Sequence, residues 1–302
     1  MRYRVNADYR FSHLRIVLSL LALTAGCASV RAQNAVTTEE LAPNLFVFAT
    51  PSGNVVASVG PDGALLVGTP SVSDTPAIES ILEQRTKSTF RYVVIATEDV
   101  AHSEGDAGWG KRGAFVAMHE NALRRLGGNV MGAPPPLSAR LTQLGVDRPR
   151  IAFSDVLAFD MNGDSIHFVH QKPGYSDADF LVHFHVANVF YVGEDFPGDG
   201  YPKVDVSQGG ALDGLVDALG WTNPKQRIVP ARGKVVNGPK LEQYHDMIVS
   251  VRDTVRDLVK LGRSESQILA AHPTASFDSR WGHGRVTPDE FVREIFAELT
   301  KK

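Results

Sequence analysis

The sequence predicts an α/β fold, a single domain of stacked sheet and helix layers. Three observations carry that expectation. Short apolar strands joined by tight turns come first. A strand, helix, strand unit follows, with a fully apolar strand leading into it. Two long amphipathic helices close the chain.

The elements follow in order. Leu45-Phe46-Val47-Phe48 reads as a short strand, and Asn54 to Val59 as the next. Pro61-Asp62-Gly63 has the composition of a turn. Ala64-Leu65-Leu66-Val67 has no polar face, so it reads as a central strand covered on both sides. A helix comes next. Asp74 or Thr75 is placed to cap it, Pro76 suits its first turn, and Ile78, Ile81 and Leu82 share one face. Tyr92 to Ile95 is another buried strand. Ala133-Pro134-Pro135-Pro136 can only be loop. Strands resume at 155–159, 165–169, 180–184 and 189–192. The stripe Met247, Ile248, Val251, Val255, Leu258 and Val259 predicts a helix over 241–261. Thr287-Pro288-Asp289-Glu290 is a capping box opening the last helix.

The first 32 residues stand apart. Arg2, Arg4, Arg10 and Arg15 precede an apolar segment from Ile16 to Ala25, too short to span a bilayer comfortably. That order of charge, apolar core and small residues is a secretory signal peptide. It leaves residues 33–302 as the mature domain and predicts export, to the periplasm or beyond. Val30-Arg31-Ala32 offers cleavage after Ala32. Thr24-Ala25-Gly26-Cys27 resembles a bacterial lipobox, which would put a lipid anchor on Cys27. Without residues 1–32 the chain carries 26 Lys and Arg against 33 Asp and Glu, a net charge of −7. That argues against nucleic acid and anionic membrane surfaces as partners. Cys27 is the only cysteine of the 302 residues, so the mature chain has no disulfide or thiolate ligand unless a lipidated Cys27 is kept.

The chemistry concentrates at the tip of the strand ending in Ile95. Glu98, Asp99, His102, Glu104 and Asp106 follow it closely. They could bind a metal, act as acid and base, or form a solvated acidic loop. Several separated segments then line up with one family. "NLFVFATPSGNVVASVGPDGALLVGTP" from Asn44, "AMHENALRRL" from Ala117, "ANVFYVGEDFPGDGYPKVDVSQGGALDGLVDAL" from Ala187, "RIVPARGKV" from Arg227 and "AAHPTASFDSRWG" from Ala270 resemble the metallo-β-lactamase-fold hydrolases. The resemblance implies a four-layer αββα sandwich and a pair of metal ions, usually zinc, that activate a bridging water.

The resemblance also implies where ligands should stand, and most are replaced. The signature His-x-His-x-Asp-His falls on Glu98, Val100, His102 and Ser103. The third histidine becomes Tyr175, the bridging aspartate Glu194, and the last histidine Arg232. Gly68 replaces an aspartate at the end of the central strand. Only Glu98, His102 and Glu194 remain able to ligate. Arg232 stays protonated at any relevant pH. A dication about 4 Å away would feel roughly 8 kcal/mol of repulsion at an effective dielectric near 20. The expectation is therefore a pseudoenzyme without metal, with Arg232 paired to Glu98 and Glu194, serving as a binding or scaffold protein for a small molecule or another protein. The alternative is a hydrolase of ester, lactam or thioester type on a rebuilt, mononuclear zinc site of Glu98, His102 and Glu194, with Asp106 or Asp195 helping. A third option has Tyr175 and Arg232 gripping an anion. His183 and His185 share a strand face and mimic a ligand pair, but their position within a strand favours a structural role. Asp177 and Asp179 are expected to orient the turn beside them. Gly-x-Ser-x-Gly and Walker motifs do not occur, and Gly108-Trp109-Gly110-Lys111-Arg112-Gly113 has Gly-x-Gly-x-x-Gly spacing but lacks the strand, loop and helix pattern of a phosphate site.

Overall fold

The first strands pair as the turn chemistry requires. β1 (Thr37–Ala42), β2 (Leu45–Ala49), β3 (Asn54–Gly60) and β4 (Gly63–Val67) form an antiparallel meander. Asn44, at φ 66°, turns the first hairpin. A helix, α1 (Thr75–Arg85), then returns the chain so that β5 (Phe90–Ile95) lies parallel to β4. β6 (Phe115–His119) and β7 (Ile151–Phe153) extend the parallel half, giving a seven-stranded sheet in sequence order. The structure is a computed structural model that describes residues 36–68, 71, 73–85, 90–95, 113–125, 151–221 and 223–301.

The second sheet has six strands in the order β13-β12-β11-β10-β9-β8. They are β8 (Val156–Met161), β9 (Asp164–His170), β10 (Phe180–Phe184), β11 (Val189–Gly193), β12 (Arg227–Pro230) and β13 (Val236–Asn237). Only β11 and β12 pair in parallel. α3 (Leu212–Leu219) joins them, following α2 (Glu120–Arg125) in the chain.

Two cores explain the layering. Leu45, Val47, Val56, Leu65 and Val67 of the first sheet meet Ile166, Phe168, Val182, Phe184 and Val229 of the second, all buried. On the far side of the second sheet, Leu181, Phe190, Val192 and Ile228 pack on helices. These are α3, α4 (Gly238–Lys260), α5 (Glu265–Ala270), α6 (Asp278–Trp281) and α7 (Pro288–Thr300). Each fully buried Leu, Ile, Val or Phe contributes roughly 1.5–3 kcal/mol. On the outer face of the first sheet, Arg85 of α1 lies 4.4 Å over the Phe46 ring. The order of layers is helix, sheet, sheet, helix. Residues Thr37–Lys302 cluster as one compact unit. Residues 1–32, where the leader, its cleavage site and the Cys27 anchor were expected, and the Pro-rich loop lie outside the described residues.

Most predicted elements are present. β4 sits between β3 and β5 with every residue buried, and the capping box of Thr287 and Glu290 is formed in both directions. The helix start at α1 differs. Asp74 Oδ2 accepts from the hydroxyls of Ser52 and Ser71, at 2.7 and 2.8 Å, while the Thr75 hydroxyl donates to the Ser71 carbonyl. Neither side chain caps the helix. The carboxylate instead ties the α1 start to the β2–β3 turn.

Candidate active-site region

The C-terminal ends of β11 and β12 lie side by side because those strands are parallel, so their following loops share one space. Gly193 ends β11 in the left-handed region, at φ 55°, and turns Glu194 and Asp195 out of the strand. Past β12, Ala231 donates its amide to the Gly193 carbonyl at 2.9 Å, which fixes the two loops together. The first sheet holds the second loop as well. Asn54, at the start of β3, donates its amide nitrogen to the carbonyls of Pro230 and Gly233, both at 2.9 Å, and its main-chain N–H to Ala231 at 2.8 Å. Arg232 stands between those anchors.

Tyr175, Glu194 and Arg232 converge on one cavity of about 390 Å³. One Arg232 guanidinium nitrogen donates to both Glu194 oxygens, at 2.7 and 3.0 Å. Both side chains are partly buried, at 26% and 17% exposure. The expected pairing with Glu194 is thus present. Glu98, Val100, His102 and Ser103 lie outside the described residues, so the pairing expected with Glu98 does too. Other charged groups reach the same cavity, including Asp199, Lys203, Arg285 and Glu294. Arg285 has no ion-pair or hydrogen-bond partner among the described residues. Lys203 lies 5.9 Å from the centre of the Tyr175 ring.

Behind the cavity is an acidic pair. Asp195 is 2% exposed, and its Oδ1 accepts the Tyr175 N–H at 3.0 Å. Burial raises its pKa from the ordinary carboxylate range to about 7, opposed by the Tyr175 hydrogen bond and aided by Glu194. Asp179 is also raised well above its ordinary value, by desolvation first and then by Asp195. Its carboxylate accepts from the Ser176 amide and hydroxyl, so it orients its turn as expected. Asp177 instead pairs with Arg125 of α2. The Tyr244 hydroxyl, near enough to feel Asp195, is buried with no hydrogen-bond partner among the described residues.

Gly68, read as a lost aspartate, adopts φ 80°. A side chain there would begin 3.0 Å from the Asn54 carbonyl and 3.2 Å from the Tyr191 hydroxyl. Burial pushes that phenol's pKa upward. The space beside Gly68 is thus taken by the tip of Tyr191. His119 is structural, buried with Nε2 2.8 Å from the Ser154 carbonyl and its ring stacked on His170.

Comparison with known structures identifies the fold. The chain is similar to DIM-1 metallo-beta-lactamase, with 12% identity and a TM-score of 0.56, over 70% of this chain and 96% of that one. A metallo-beta-lactamase from Pontibacter korlensis gives 11% identity and 0.58, over 71% and 99%. The fold is that of the metallo-β-lactamases. The inverting sec-alkylsulfatase Pisa1 from Pseudomonas sp. gives 13% identity and 0.61, covering 88% of this chain and 50% of that one. This chain thus spans half the alkylsulfatase's length. No protein-family model and no curated protein matches the sequence.

The described residues can be tested against the zinc that this fold implies. Glu194 already has both oxygens on a permanent cation. A phenol and a guanidinium replace two neutral imidazoles at the positions the resemblance assigns to ligands. Among the described residues no group of three or more His, Cys, Asp or Glu is arranged to hold a metal. This half of the site does not fit zinc. It does fit a polar ligand, with guanidinium and ammonium donors facing carboxylate acceptors. Sequence reasoning missed Lys203, Arg285 and Glu294, and nothing local marked them, because they come from segments far apart in the chain.

Proposed function

We propose that this chain is an exported, non-catalytic metallo-β-lactamase-fold protein that binds a small polar molecule in the cavity of Tyr175, Glu194 and Arg232. The single observation behind this reading is the Arg232–Glu194 pair. It satisfies, with a fixed internal cation, the carboxylate that a metal would otherwise neutralise. The leader of residues 1–32 supports export. No helix among the described residues is long and apolar enough to cross a membrane.

The test is a zinc-supplemented, tag-free preparation assayed on ester, lactam and thioester substrates. Expected is turnover no different from buffer. Zinc-dependent turnover lost in both His102→Ala and Glu194→Ala would establish the rebuilt hydrolase site instead. In parallel, a thermal-shift screen of small anions and zwitterions should find ligands whose effect disappears in Arg285→Ala.

A further inference from the structure

At the opposite end of the second sheet three imidazoles meet. β10 runs antiparallel to β11, so its last residues lie where β11 begins, away from Glu194. His183 on β10 pairs in register with His167 on β9, and His185 follows two residues on, on the same face. His185 Nε2 lies 3.1 Å from His167 Nδ1. The other nitrogen of His167, Nε2, lies 3.2 Å from the Ser165 hydroxyl. The His183 ring packs on His185 at 3.8 Å and stacks on Phe190 at 4.2 Å.

We infer that His167 and His185 form a two-imidazole binding site for a borderline divalent transition metal, copper(II) in preference to zinc. Two metal–nitrogen bonds of about 2.0–2.1 Å meeting at about the 90° of tetragonal copper(II) hold their nitrogens about 2.8–3.0 Å apart, close to the 3.1 Å found. Imidazole is the donor such ions favour, and copper(II) binds N-donor sites most tightly of the divalent series. His185 is exposed and His167 partly so, leaving room for water at the remaining positions. Ser165 supplies the outer partner that metal-binding histidines generally have. With the His167 Nε2–H directed to Ser165 Oγ, Nδ1 carries the free lone pair. In that tautomer the His185 Nε2–H points to this lone pair, and metal binding displaces the proton to His185 Nδ1 through solvent. His183 is a positioning residue. Its Nε2 is buried without a partner among the described residues, and its ring, packed between His185 and Phe190, backs the His185 ring. The two oxygens of Asp164 are held by the amides of Val186 and Ala187, fixing the turn that carries the chain from His185.

The experiment is copper(II) titration of tag-free, chelator-stripped protein at pH 7.5, by calorimetry and electron paramagnetic resonance. Expected is one tight equivalent with hyperfine structure from two nitrogens. His167→Ala and His185→Ala should each weaken binding by more than the roughly tenfold lost when an outer partner is removed, with His245→Ala unchanged. His185→Gln, which keeps a polar group on the surface, serves if an alanine variant melts early. Absence of a tight equivalent, binding that survives these changes, or binding lost instead in His102→Ala would overturn the assignment.

Discussion

Replacing Asp195 by Asn should change how stability depends on pH. In the folded protein this carboxyl ionises at about 7 because burial opposes its charge; in the unfolded chain it ionises near 3.9. A folded pKa above the unfolded one contributes stability that is whole below about pH 3.9 and is lost as pH rises through about 7. At about 1.4 kcal/mol per pH unit, the loss reaches about 4 kcal/mol by pH 8. Asn has the same shape and keeps an oxygen to accept the Tyr175 N–H, now at 3.0 Å, but it does not ionise. Denaturant unfolding of both proteins at pH 5, 6, 7 and 8 reads the difference. The wild type should lose stability relative to Asp195→Asn by about 1.4 kcal/mol per unit between pH 5 and 7, then level off. Asp179 pulls in the same direction, and because Asp195 is the second cause of its raised pKa, the difference reads the coupled acidic pair rather than Asp195 alone. Parallel profiles would refute the idea that its charge is held off by burial.

Other substitutions test the surrounding frame. Arg232→Met leaves Glu194 without its cation and should cost about 1–3 kcal/mol, read as a lower melting temperature; because both groups are partly exposed, a larger loss would mean the pair is more enclosed than described. Gly174→Ala would drive a methyl into Asp195 Oδ1, with a loss of about 1–3 kcal/mol by denaturant unfolding. Asn54→Ala strips donors from the Pro230 and Gly233 carbonyls and should cost about 1–3 kcal/mol.

What the sequence disclosed depends on where the causes lie. β4 was legible because four apolar residues in a row leave no polar face, and α7 because Thr287 and Glu290 declare a cap locally. β1 was not, since Thr37, Glu39 and Glu40 are exposed on an edge strand that is held by backbone pairing to β2 and by the Arg227–Glu39 ion pair. Tyr175, Glu194 and Arg232 were grouped through the family resemblance; their separation along the chain alone would not have joined them. The titration of Asp195 was invisible, because burial is a property of the assembled fold. The helix cap at Asp74 was misread because two nearby serines outcompete the helix for the carboxylate.

Asn54 has a consequence for motion. Its three hydrogen bonds run from one sheet to the loop that presents Arg232 in the other. That loop cannot open by itself; it must first let go of β3. Its amides should exchange with solvent as slowly as the seam between the two sheets, in one cooperative unit, rather than at the fast rate of a surface loop. A molecule settling against the guanidinium would then be felt at the start of β3, on the far side of the sandwich seam.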